Sequence, residues 1–246
     1  MIKLVMTKAA YALMLLVMGA SMANAASLAV SPLRATLSAS QKVEAITVRN
    51  SGTESVSLQL EVMNWSQQEG KNVYSATREL LVNPPIFTLL PGESQLIRAG
   101  LRRAPDARRE QSYRIFMQEL PPPPDPDFLG SKMLLRLSLP VFVLPALAAE
   151  PDLRWQATRT SDGALKISLD NLGNAHIQIA NFSLSLPGSA QPWITRQSSI
   201  YVLHGQSHDW ILPANADDPA LPPGATLQLF AQTDAGGMET EVLITP

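Results

Sequence analysis

Residues 46–63 read Ile46-Thr47-Val48-Arg49-Asn50-Ser51-Gly52-Thr53-Glu54-Ser55-Val56-Ser57-Leu58-Gln59-Leu60-Glu61-Val62-Met63, and their apolar period is two. Ile46 and Val48 alternate with Thr47 and Arg49; after the turn-forming cluster Asn50-Ser51-Gly52-Thr53, Val56, Leu58, Leu60 and Val62 alternate with Ser57, Gln59, Glu61 and Met63. Side chains of a strand point alternately to opposite faces, so this pattern specifies two half-buried strands joined at a tight corner. The same signals predict strands over 28–37, 43–50, 55–65, 86–90, 94–101, 112–120 and 132–144, with at least five more after residue 152. No stretch carries a long amphipathic helix with caps. Seven short strands in about 120 residues match an immunoglobulin-like sandwich.

The second half echoes the first. Ile167-Ser168-Leu169-Asp170-Asn171-Leu172-Gly173 mirrors Ile46 to Gly52, and Leu221-Pro222-Pro223-Gly224 mirrors Leu90-Pro91-Gly92. Two sandwiches are therefore expected, residues 26–145 and 146–246, with Pro145 to Pro151 as the hinge. With 246 residues and 46% apolar content the chain can fill two cores, which excludes a disordered protein. It has no cysteine, which removes disulfides, thiolate metal sites and thiol nucleophiles together. Residues 1–25 carry Lys3 and Lys8, an apolar run from Ala9 to Ala20 and Ala23-Asn24-Ala25, the pattern of a cleaved export signal. Later apolar segments are interrupted, as by Arg136, Pro140 and Pro145, so a soluble exported protein without membrane insertion is expected.

Charge is divided unevenly. Residues 26–145 hold 13 basic and 11 acidic side chains, whereas 146–246 hold 4 and 10. So mild a basic excess, on an exported chain with an acidic second half, argues against nucleic acid. His204 and His208 are four apart, but Gly205 and a strand-rich setting argue against a helical metal site, and His176 reads as a strand residue. No nucleophile elbow or phosphate-cradling loop is present, so neither an enzyme nor a cofactor is expected.

The segment from Lys132 to Leu144 stands apart. Met133, Leu135, Leu137, Leu139, Val141 and Val143 form one unbroken apolar row, while Lys132, Arg136, Ser138 and Pro140 occupy the other face. A strand of that length projects beyond an ordinary sandwich. Pro140 lacks an amide hydrogen and points to an edge strand. A long apolar edge is an aggregation hazard that is kept only for a purpose, and strand addition to another polypeptide is the purpose it fits.

Several segments, in order, resemble the periplasmic chaperones of the chaperone-usher pilus pathway, the PapD-like family: Leu28 to Arg34, Ile46 to Asn50, Asn83-Pro84-Pro85 with Leu90-Pro91-Gly92 through Arg98, Tyr113 to Pro122, and the row ending Val141-Phe142-Val143-Leu144-Pro145. The resemblance implies two immunoglobulin-like domains in an L or boomerang arrangement, a periplasmic location and a role in fimbrium biogenesis and cell wall organization. It also implies capture of pilin subunits by donor-strand complementation, with Met133, Leu135, Leu137 and Leu139 entering the subunit groove, and delivery to an outer-membrane usher. Arg34 matches the family's arginine that holds the subunit's terminal carboxylate. The family's lysine would fall at Pro140, a departure that suggests the archaic branch and leaves Arg136 or Arg114 as second anchor. Two rival readings stand beside this one. A fibre subunit or adhesin would have one incomplete sandwich, and a secreted hydrolase or carbohydrate-binding protein would need a catalytic constellation or sugar-stacking surface beyond Trp65, Trp155, Trp193 and Trp210.

Overall fold

The computed structural model describes residues 28–122, 131, 133–189, 191–214, 221 and 224–245. The expected export signal lies outside the described residues, as does Lys132. Among the described residues every regular element is a strand, and no helix is long and apolar enough to cross a membrane. The strands are β1 (Leu28–Ser31), β2 (Ala35–Leu37), β3 (Val43–Asn50), β4 (Val56–Gln68), β5 (Lys71–Ala76), β6 (Leu80–Asn83), β7 (Ile86–Leu89), β8 (Ser94–Leu101), β9 (Gln111–Glu119) and β10 (Arg136–Val143). They are followed by β11 (Leu153–Arg159), β12 (Leu165–Asn171), β13 (Ile177–Ser185), β14 (Ile194–Val202), β15 (Ser207–Leu212), β16 (Thr226–Thr233) and β17 (Gly236–Thr245).

The first ten strands make two sheets, β1-β3-β8-β6 and β2-β10-β9-β4-β5, the second with β7 also paired to β4. Their inward faces meet in one core that includes Leu37, Ile46, Leu58, Ile97, Ile115, Met117 and Val141. The expected single strand over 28–37 is two. Pro32, which cannot donate to a ladder, ends β1 against β3, and the chain crosses to the other sheet, where β2 runs parallel to β10. The remaining strands run in the order β14-β13-β16-β17-β11-β12-β15 around a second core that includes Ile167, Leu169, Phe182, Leu229 and Ile244. The sheet closes over itself where β11 and β17 pair in parallel through Ala157↔Ile244 and Thr158↔Thr245 only.

The two sandwiches repeat each other pairing by pairing. The pairs β3–β8, β4–β9 and β9–β10 return as β12–β15, β13–β16 and β16–β17, and the short parallel pair β2–β10 returns as β11–β17. At the heart of each repeat is a fully buried asparagine. Asn50 Nδ2 donates to the carbonyls of Glu54 and Leu89, and its Oδ1 accepts from Gly52 N–H; Asn171 does the same with Ala175, Val202 and Gly173. The backbone agrees. Asn50 exchanges bonds with Gly92 N–H and the Glu93 carbonyl, and Asn171 with Gly205 N–H and the Gln206 carbonyl. The partner of Gly92 is therefore Gly205, not Gly224 as the sequence echo suggested; Gly92 and Gly205 both take positive φ, 80° and 67°, in the turn that brings the amide to the asparagine.

The last strands of the two repeats differ along their outer edges. Apart from its two parallel pairs, β17 leaves Gly236 to Leu243 without a strand neighbour opposite β16 among the described residues, and its outward face carries Glu239 and Glu241.

Because each asparagine satisfies two carbonyls and one amide away from water, Asn50→Ala and Asn171→Ala should each destabilise their own sandwich by about 2–4 kcal/mol. Hydrogen exchange of the two sets of core amides checks this, with protection lost in the mutated sandwich first.

Candidate functional site

Strand β10 does different work on its two faces. Leu137, Leu139, Val141 and Val143 point toward the first core, while Phe142 on the opposite face joins Trp65, Leu203 and Tyr201 in a small cluster between the sandwiches. Its edges differ as well. β9 pairs with the whole strand, Arg136↔Gln118 to Val143↔Gln111, but β2 covers only Val141 to Val143 on the other side. Among the described residues no strand pairs with Arg136 to Pro140 on that side, so those backbone groups form an open edge.

The strand is shorter than the expected 132–144. Leu135 is still tied to β9 through a bond from Glu119 N–H to its carbonyl and another from its own N–H to the Glu119 carboxylate. Beyond that point the ladder loses its partner. Leu120 N–H is turned to the Ser57 carbonyl and Pro121 has none to give. Burial along the apolar row is graded accordingly: Met133 is 96% exposed, Leu135 and Leu137 are half-buried, and Leu139 is 4% exposed inside its own core. The part of the row available to a partner is thus Met133, Leu135 and Leu137, because the sandwich already uses Leu139.

The cleft between the sandwiches begins where β10 ends. Arg34, at the β1–β2 crossing, donates from Nη1 to Asp234 Oδ2 of the second sandwich at 2.5 Å. Asp234 Oδ1 accepts from Gln178 N–H at 2.9 Å, and its Oδ2 also lies 3.5 Å from His176 Nε2. His176 Nδ1 is 2.7 Å from Oε1 of Glu110, a carboxylate almost completely buried, and the imidazole stacks on Phe142 with ring centroids 3.4 Å apart. Glu110 Oε1 also accepts from His176 N–H. This is not the ordinary strand histidine the sequence pattern suggested: His176 lies just before β13 and fastens the second sandwich to the first.

Electrostatics follow from that arrangement. Burial disfavours the His176 imidazolium, yet Asp234 and Glu110 outweigh it and raise its pKa above the ordinary histidine value. Burial likewise opposes the Asp234 carboxylate, but His176, Gln178 N–H and Arg34 hold it at about 2. Arg114, on β9 directly across from Pro140, lays its guanidinium 3.8 Å from the Trp65 ring centroid and 5.4 Å from that of Tyr201. Burial lowers its pKa, and its buried Nε has no hydrogen-bond partner among the described residues. The Tyr201 phenol, raised by burial, is pulled back by both Arg34 and Arg114.

The sequence-predicted basic residues therefore separate. Arg34 and Arg114 share the cleft, whereas Arg136 lies over Phe116, 4.5 Å from its centroid, at the start of the open edge. Glu110 and Asp234, missed by sequence reasoning, complete the cleft. Gln67 adds an amide bridge, donating to the Tyr201 carbonyl and accepting from Leu203 N–H. Trp65 and Trp155 are buried and Trp193 and Trp210 pack on the second core, so none stands as a free sugar platform. No group of three metal-binding side chains occurs among the described residues.

A histidine whose folded pKa is raised contributes stability that is full below its unfolded pKa and is lost as pH rises through the folded one. Thermal stability of the purified protein should accordingly fall as pH rises above about 6.5. The matched scan of His176→Gln should lack that descending limb.

A family model for the PapD N-terminal domain, described as pili and flagellar-assembly chaperone, matches residues 27–148. A search of curated protein sequences gives no match. Among solved structures, the Acinetobacter baumannii CsuC–CsuE chaperone–tip adhesion subunit pre-assembly complex, from archaic chaperone-usher Csu pili, matches at 20% identity and TM-score 0.65, over 90% of this chain and 100% of that one. The Salmonella enterica SafA pilin–SafB chaperone complex matches at 17% and 0.61, over 89% and 97%, and the E. coli chaperone DraB at 19% and 0.60, over 89% and 97%. At these identities the structural likeness speaks for the fold, two immunoglobulin-like domains. Residues 27–148 are thus a PapD-like N-terminal domain of the pili and flagellar-assembly chaperone family, and the second sandwich shares the fold of the solved chaperones.

Proposed function

We propose that this chain is a periplasmic chaperone that holds pilus subunits by lending them β10 and passes them to an outer-membrane usher. The observation that carries the reading is the open edge from Arg136 to Pro140, preceded by the exposed Met133 and carrying the half-buried Leu135 and Leu137 in the same row. An incomplete sandwich needs both a strand to satisfy its backbone and apolar side chains to fill its groove, and this edge offers both. Leu139, rooted in the chaperone's own core, holds the row in register. Each aliphatic side chain buried in the groove contributes roughly 1.5–3 kcal/mol. The work requires no bond to be made or broken.

Arg34 and Arg114 are the pair we assign to the subunit's terminal carboxylate. Arg114 is the direct cross-strand neighbour of Pro140, the position where the family's lysine falls, so the cation is carried by the adjacent strand instead. An unpartnered Nε and a guanidinium braced on Trp65 and Tyr201 suit a planar anion. Arg136, four residues further along at about 3.3 Å each, is too distant from the cleft to share that ligand.

Co-expression with a cognate pilin, followed by co-purification from periplasm, tests the reading. Leu137→Glu should reduce subunit recovery at least 10-fold by placing a charge in the groove, and Arg34→Ala by roughly 10- to 100-fold through loss of a charge-assisted contact. Undiminished recovery with both variants folded would overturn it.

A further inference from the structure

Arg34 is not waiting empty. Its Nη1 already holds a carboxylate, that of Asp234, at 2.5 Å. We propose that Asp234 is a built-in competitor for the Arg34 subsite, occupying it in the free chaperone and surrendering it to an incoming chain-terminal carboxylate. This rests on the reading of Arg34 as an anchor and adds a selectivity device to it.

The geometry is that of an exchange and not of a permanent tie. Asp234 is fixed on its own side: its N–H donates to the Gln178 carbonyl, its Oδ1 accepts from Gln178 N–H, and Thr233 Oγ1 braces the turn through Ala235 N–H and the Gly236 carbonyl. Arg34 is the exposed partner, its side chain 41% accessible, and its length lets the guanidinium turn away while Asp234 stays. When it does, Asp234 is not left as a lone buried charge, because His176 Nε2 lies 3.5 Å away and the carboxylates around it favour its protonated form. The sandwiches also remain joined without Arg34, through Glu110 with His176, Gln67 with Tyr201 and Leu203, Asn174 with Arg108, and the Trp65–Phe142–Leu203 cluster.

A competitor of this kind sets a threshold. A small carboxylate that offers only its charge must displace Asp234 with nothing further gained, whereas a subunit strand adds pairing along β10 and can pay the difference. Capture also removes an ion pair that spans the two sandwiches, so the anchored state has one fewer tie between them.

The test uses the full mature chain with arginine labelled by ¹⁵N. The probe is N-acetyl-Val-Thr-Val-Tyr, prepared as the free acid and as the C-terminal amide, and the readout is the Arg34 guanidinium resonance. Asp234→Asn keeps an oxygen for Gln178 N–H while removing the charge, and Asp234→Ser serves if the asparagine variant does not fold. The competitor model expects the free acid to bind about tenfold tighter to the variant than to the wild type, with the amide unaffected. Equal acid affinity for wild type and variant, with the preference for acid over amide still abolished by Arg34→Ala, overturns the competitor while leaving the anchor standing. An acid preference that survives Arg34→Ala, or no acid preference even in Asp234→Asn, overturns the anchor and the competitor with it.

Discussion

The two-residue period of β10 is the constraint on which the rest of the structure depends. A strand can send alternate side chains only to opposite faces, and this one assigns both. Leu139, Val141 and Val143 close the first core, and Phe142, one position out of phase, supplies the contact on which the second sandwich rests. A one-residue slip would exchange the two sets and lose core and interface together. The register of the open edge is therefore set by groups that no partner touches.

The interface shows how a buried charge is tolerated. Glu110 is nearly inaccessible, and an isolated carboxylate there would be strongly disfavoured. His176 answers it with both its ring nitrogen and its backbone amide, and Phe142 lies flat against the imidazole. The histidine immediately precedes β13 and the glutamate immediately precedes β9, so the starts of these two strands meet across the boundary. The cations of the cleft, Arg34 and Arg114, are then positioned relative to an interface that is itself held by charge.

Most of the fold was legible in the sequence because period two is a local signal. β3 and β8 fall where alternation put them, and Asn50 and Asn171 were visible as matched positions before a shared hydrogen-bond set explained them. The second half of that echo went astray at Gly224, since a Pro-Gly turn is common chemistry and Leu203-His204-Gly205 carries no proline to advertise the true match. β5 and β6 were not foreseen: β5 is mostly exposed and lacks a one-sided apolar face, and β6 has only four residues. The cleft was half legible. Arg34 came from motif likeness and Arg114 only as an alternative. Glu110 and Asp234 gave no sequence sign, because each acquires its role from a residue 66 or 200 positions away.

The acidic outer edge of β17 completes the comparison between the two repeats. β10 and β17 hold equivalent places, and among the described residues each leaves most of one side unpaired, but the outward face of β17 carries Glu239 and Glu241, the latter held by Gln228 of β16, where that of β10 carries Arg136 and Ser138. A strand added to β17 would run beside these two negative charges, and charged side chains along an edge strand discourage such pairing. The duplication has thus been made unequal in valency. A molecule with two permissive edges could join two incomplete sandwiches, whereas a charged face on one of the two leaves a single edge that favours strand addition.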